Sequence, residues 1–162
     1  MRLLLWLSQL IKLPQFKCRA LTPGEIQLCR QVFADLIDFD QVRIMNHPFL
    51  PWQPTYMLMA PRGYIHVRNR HYKTDYSLES LSHRGLFIHE MTHVLQFQQG
   101  QQVFLKGALL QSAYYLSLKR YNPYHYQLKP GKAFTAYNIE QQGDIARDIF
   151  FGKIPNLIQN TP

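Results

Sequence analysis

Between residues 78 and 99 apolar side chains return at helical spacing. Phe87, Met91, Val94 and Leu95 occupy positions i, i+4, i+7 and i+8, one stripe that predicts a helix burying against a sheet. Gly100 follows, the residue type that best tolerates a left-handed helix terminus. Upstream, LTPGE predicts a helix start: Thr22 to cap, Pro23 at the first helical position, and Glu25 to close a capping box. Ile26, Val32, Phe33, Leu36 and Ile37 carry that helix over residues 21–37. Short β-like runs at 41–45, 55–60 and 64–68, punctuated by Pro48, Pro51, Pro54 and the Pro61-Arg62-Gly63 turn, predict a small antiparallel sheet of about three strands. Helices are expected again over 103–119 and 137–151, the latter through Ile139, Ile145, Ile149 and Phe150, with an aperiodic, tyrosine-rich loop at 121–134 between them. The pattern is α+β: a small sheet packed on a central helix, followed by C-terminal helices.

Before the first capped helix, residues 1–20 hold an apolar run from Leu3 to Ile11 behind a basic start. The run is too short to span a bilayer and lacks a small-x-small cleavage site. It is expected to be an apolar helix or extension lying on the domain, on a membrane surface or on a partner. Residues 21–162 then read as a single domain, since no repeat, low-complexity tract or linker interrupts them.

Composition changes this picture little. With 46% hydrophobic and 17% charged residues, the 162-residue chain suits one globular core and not a disordered segment. A net charge of +8 favours acidic partners such as nucleic acid, anionic lipid or cell-wall polymer. The cations are scattered, Arg62, Arg68, Arg70 and Lys73 being the densest group, and no nucleic-acid-binding motif accompanies them, so nucleic acid is not an expected partner. Cys18 and Cys29 are too few for a metal knuckle or a disulfide framework.

The chemistry sits in the central helix. His89, Glu90 and His93 form H-E-x-x-H, and residues four apart share one helix face, so both imidazoles can reach one tetrahedral Zn2+. Glu90 is rotated aside, placed to bond a water as general base. A structural alternative is a helix with two polar side chains turned to solvent, but the histidines stand among Leu86, Phe87, Ile88 and Val94. Burying them with a carboxylate and no cation would be costly.

A catalytic zinc site needs a third protein ligand. His47, His66, His71, His83 and His125 fall in loops, strands or helix edges, and Gln96 and Gln99 stand where an H-E-x-x-H-x-x-G-x-x-H pattern would need glycine and histidine. A carboxylate from the last helix is the better candidate, namely Glu140, with Asp144 one turn on to accept a hydrogen bond from a ligand imidazole. For stabilising an oxyanion, Tyr124, His125, Tyr126 and Tyr137 all remain open, Tyr137 being nearest to Glu140 in the chain.

The E-x-x-x-D spacing resembles the second motif of gluzincin metallopeptidases. More broadly LTPGEI, GLFIHEMTHVLQ and LKPG followed by YNIEQQGDI, in that order after Ala20, resemble the small bacterial zinc-peptidase-like proteins called Vgr-related or Rhs-associated. Those are similar in turn to the H-E-x-x-H domain found with contractile injection systems. The resemblance implies a zincin-like metallopeptidase domain and a tie to type VI secretion. It also implies a bacterial protein, either cytoplasmic or delivered to the periplasm, with Vgr or Rhs secretion proteins as partners. It supplies no substrate: peptide stems of peptidoglycan and an effector protein both remain open. A metal-stabilised, non-catalytic adaptor of the secretion apparatus is the alternative, and an intact Glu90 argues against it.

Overall fold

A computed structural model describes residues 16–159. The expected N-terminal apolar helix or extension falls mostly in residues 1–15, outside the described residues. Among the described residues three strands and four α-helices make an α+β fold in the order β1 (Cys18–Arg19), α1 (Pro23–Phe33), β2 (Arg43–Met45), β3 (Tyr64–His66), α2 (Leu81–Gln98), α3 (Val103–Leu116) and α4 (Ile139–Phe150), with short 3-10 turns between.

The first helix begins as its local chemistry dictates. Thr22 accepts a hydrogen bond from the Glu25 N–H, and Glu25 accepts one from the Thr22 N–H. Glu25 does more than cap. Its buried carboxylate also receives both terminal nitrogens of Arg19 at 2.7 Å and the Tyr76 N–H at 2.8 Å. One side chain thereby ties β1, α1 and the turn before α2 together. Burying a charge is tolerable only because every lone pair finds a donor.

The sheet departs from expectation in composition and direction. β2 is central; β1 pairs with it antiparallel (Cys18 opposite Met45), but β3 runs parallel to it (Ile44 opposite Ile65). Parallel neighbours need a long crossover, and residues 46–63 supply it as an irregular excursion in which Pro48, Pro51 and Pro54 withhold backbone donors. Gln53 organises that excursion, accepting from the Phe49 N–H and donating to the carbonyls of Met57 and His66. The expected strand at 55–60 reduces to a single antiparallel bridge between Met59 and His66. Cys18–Arg19, set apart from the domain in the sequence pattern, is the third strand instead.

The central helix differs from expectation in its packing. α2 is not a one-sided amphipath lying on a sheet: from Phe87 to Gln96 every residue is buried, and its most extensive partner is α4. Ser80 caps its start and Gly100, with φ of 80°, follows its end. Phe87 stacks on Tyr76 at a centroid distance of 5.2 Å, and Ile44, Ile65, Met91, Leu95 and Ile145 complete the core around it.

Candidate metal centre

The α2–α4 contact brings three potential ligand groups to one point. The Nε2 atoms of His89 and His93 lie 3.4 and 3.7 Å from the same oxygen, Oε2 of Glu140. One ligand atom from each of the three residues lies within 4.8 Å of the others, so the group could hold a metal ion. His89 and His93 are adjacent turns of α2, their rings 5.0 Å apart. Glu140 arrives from the first turn of α4, whose start is closed by a capping box between Asn138 and Gln141 and whose dipole favours a carboxylate there.

Both imidazoles are oriented from behind. His89 Nδ1 lies 3.0 Å from Asp144 Oδ1, and Arg147 holds that same oxygen at 3.0 Å. His93 Nδ1 meets Gln96 Oε1 at 2.9 Å. Gln96 uses its amide nitrogen on the Ile139 carbonyl and Gln142 Oε1, and Gln142 in turn donates to the Tyr137 carbonyl. That chain of donors fixes Gln96 as an acceptor toward His93, so His93 carries its proton on Nδ1 and offers the Nε2 lone pair to the centre. Gly143 completes the seat of His89. A Cβ at that position would lie 2.5 Å from His89 Cε1 and 2.7 Å from both ring nitrogens, so only glycine lets α4 approach the ring this closely.

Charge is concentrated and dry. Burial would push His89 down, but hydrogen bonds to Asp144 and Glu140 and the nearby Glu90 charge raise its pKa to about 10. Burial would likewise push Glu140 up, yet its bonds to His89 and His93 hold it well below the usual carboxylate range. Glu90 is raised to about 7, by burial first, with the charge of Glu140 adding to it and the two histidines and the Ala60 backbone opposing. Its Oε2 is buried with no hydrogen-bond partner. Two imidazoles and a carboxylate converging on one point, with a second carboxylate that keeps an unpartnered oxygen beside them, make a donor set that fits a divalent cation.

A cleft of about 480 Å3 lies beside the centre, lined by Asn122, Tyr124, His125, Tyr126, Asp144 and Asp148, of which Asp144 touches His89. Among the four oxyanion candidates the structure separates the phenols clearly. Tyr137 is buried, and its hydroxyl donates to the Gln127 carbonyl and accepts from the Lys129 N–H, both at 3.2 Å, so it braces the loop and does not face the centre. Tyr126 donates to Asp148 at 2.6 Å. The Tyr124 ring lies 6.4 Å from that of His89, its pKa pushed up by burial and by the charges of Glu140, Glu90 and Asp144. Of the three candidate phenols it is therefore Tyr124, not Tyr137, whose ring stands beside a ligand-candidate imidazole. Gln96, Gln142, Gly143 and Arg147 were not singled out by sequence; only Gln96, one turn after His93, carried a local signal.

No protein-family model matches the chain. Over 136 residues, 83% of the chain, it is 48% identical to the type VI secretion system spike protein VgrG2b of Pseudomonas aeruginosa, and the match spans 13% of that protein. The solved effector domain of Pseudomonas aeruginosa VgrG2b superposes with a TM-score of 0.76 at 44% identity, covering 92% of this chain and 86% of that domain. Identity of this extent over most of both folded units is homology, and the chain belongs to the family of the VgrG2b effector domain.

Proposed function

We propose that the domain is a zinc metallopeptidase of zincin-like architecture that acts as a type VI secretion effector. The observation that carries this reading is the meeting of His89, His93 and Glu140 beside a buried Glu90 that has an unpartnered oxygen. A structural metal site has no use for that last group, which argues against the adaptor role. Homology to an effector domain of a secretion spike supports the delivery context.

In this reading His89 Nε2, His93 Nε2 and Glu140 hold the zinc, with Asp144 and Gln96 keeping each imidazole in the tautomer that presents Nε2. The ion, when bound, supplies Lewis acidity that polarises the scissile carbonyl and makes water a competent nucleophile at neutral pH. Glu90 takes the proton of the attacking water on its unpartnered oxygen and passes it to the leaving amine. Its burial beside the two imidazoles leaves that oxygen free of competing donors. Tyr124, held protonated, donates to the developing oxyanion from the cleft side.

Glu90→Gln is expected to keep stoichiometric zinc by elemental analysis while losing about 100-fold or more of hydrolysis. Full activity in that variant would remove the general base and with it the mechanism. Tyr124→Phe should lower kcat by about 100-fold with KM little changed, whereas Tyr137→Phe should act through stability alone; equal kcat losses in the two would sink the assignment. Release of fragments from purified sacculi, set against cleavage of a co-expressed Vgr or Rhs protein, decides between cell-wall peptide stems and an effector protein as the amide attacked.

A further inference from the structure

The helix that follows the candidate centre is dressed the wrong way round for a water-facing element. In α3 only Val103 is buried, with Gly107, Leu110 and Tyr114 partly covered on the same side. At about 100° per residue the outward residues Phe104, Leu105, Ala108, Leu109, Ser112, Tyr115 and Leu116 fall within a single arc of about 140°. Leu109 is 62% exposed and Leu116 84%. Ser112 is the one hydroxyl among the aliphatic members of the arc, and it donates to the Ala108 carbonyl at 2.8 Å, so it makes no demand on water. Leu118, 80% exposed, extends the apolar surface past the helix end. A patch this continuous marks an interaction surface.

Charge says what covers it. No Asp or Glu occurs between Glu90 and Glu140, while Lys106, Lys119, Arg120, Lys129 and Lys132 all fall in that interval. Lys106 flanks the apolar arc, and Lys119 and Arg120 follow it, all three exposed. Tyr115 and Tyr121 stand exposed toward the same end, phenols suited to a boundary between hydrocarbon and water. A protein partner with an apolar groove would not require this one-signed border; an anionic lipid surface does. Among the described residues no helix is long and apolar enough to cross a membrane, so the geometry is that of a helix lying in the interface plane.

We propose that α3 docks the domain on the surface of an anionic phospholipid bilayer, with Phe104, Leu105, Leu109 and Leu116 in the acyl boundary and Lys106, Lys119 and Arg120 among the phosphates. α3 runs directly past the candidate centre, since a Cβ on Gly107 would lie 3.8 Å from Glu140 Oε1. If the centre hydrolyses amides as proposed above, docking holds it against polypeptide or cell-wall peptide close to a membrane; the docking itself does not depend on hydrolysis.

The experiment is cosedimentation of the full chain with vesicles of phosphatidylglycerol and phosphatidylethanolamine, against vesicles of phosphatidylcholine. Binding should favour the anionic vesicles by about fivefold for each cation engaged, and raised ionic strength should weaken it. The double variant Leu109→Asp with Leu116→Asp should lose about tenfold or more of that binding with its thermal unfolding unchanged, because both side chains are exposed. Lys119→Glu with Arg120→Glu should abolish the preference for anionic vesicles. Equal binding to both vesicle types overturns the proposal. So does full binding by the leucine variant, which would assign it to residues 1–15. So does a dimer in size-exclusion chromatography that the leucine variant makes monomeric, which would mean that a second copy covers the face.

Discussion

α2 and α3 are consecutive, both rich in apolar residues, and treated in opposite ways. In α2 even the ionisable side chains His89, Glu90 and His93 are buried; in α3 even most of the leucines face out. Hydrophobicity therefore does not decide which helix lies inside. What separates them is the supply of partners. Each buried imidazole of α2 meets a group from its own helix or from α4, which offsets much of the cost of burying it, while Glu90 keeps one oxygen without a partner. The outer face of α3 meets nothing in the described fold, and its apolar area stays available to a partner. The ion-binding candidates lie on the helix whose position is over-determined, and the contact surface lies on the one whose position is not.

The contrast can be broken by substitution. Phe87→Ala, in the middle of α2, removes a fully buried ring stacked on Tyr76 and should cost about 3–5 kcal/mol by denaturant unfolding. A loss under about 1 kcal/mol would mean that the helix is less tightly enclosed than it looks. Next in size is Gly143→Ala. The added methyl must displace the His89 ring, and zinc affinity measured by chelator competition should fall by about 10–100-fold. An unchanged affinity would show that the ring's seat does not matter to the metal. Smallest is Leu116→Gln on α3, expected within about 0.5 kcal/mol of the parent in solution. A larger loss would place Leu116 in an intramolecular contact and weaken the case for an external partner.

Local signals proved legible in the chain and tertiary ones did not. The Thr22–Glu25 capping box forms as expected because its partners are three residues apart. The spacing of His89 and His93 puts their rings together for the same reason, and the structure brings Glu140 and Asp144 to them from α4 as the E-x-x-x-D spacing suggested. The sheet was harder. Cys18–Arg19 has no β pattern of its own and is a strand because the flanking Lys17 and Asn46 exchange hydrogen bonds across the ladder. Residues 55–60 have the pattern but lose it to a proline-studded crossover. Tyr137 is nearest to Glu140 along the chain, yet nearness along the chain says nothing about which way a phenol points, and its hydroxyl is bonded to Gln127 and Lys129. The Gln96–Gln142 relay spans the two helices, and no reading of one segment reveals a bond made with another.

The Glu25 carboxylate has a mechanical consequence. Traction on the chain upstream of residue 16 is transmitted along β1 to Arg19, whose guanidinium is clamped in that buried acid and also donates twice to the Lys73 carbonyl. The same acid is bonded to Thr22 at the start of α1 and to Tyr76 in the turn ahead of α2, both outside the candidate metal centre. A pull from that side therefore strains these bonds ahead of the contacts among His89, His93 and Glu140.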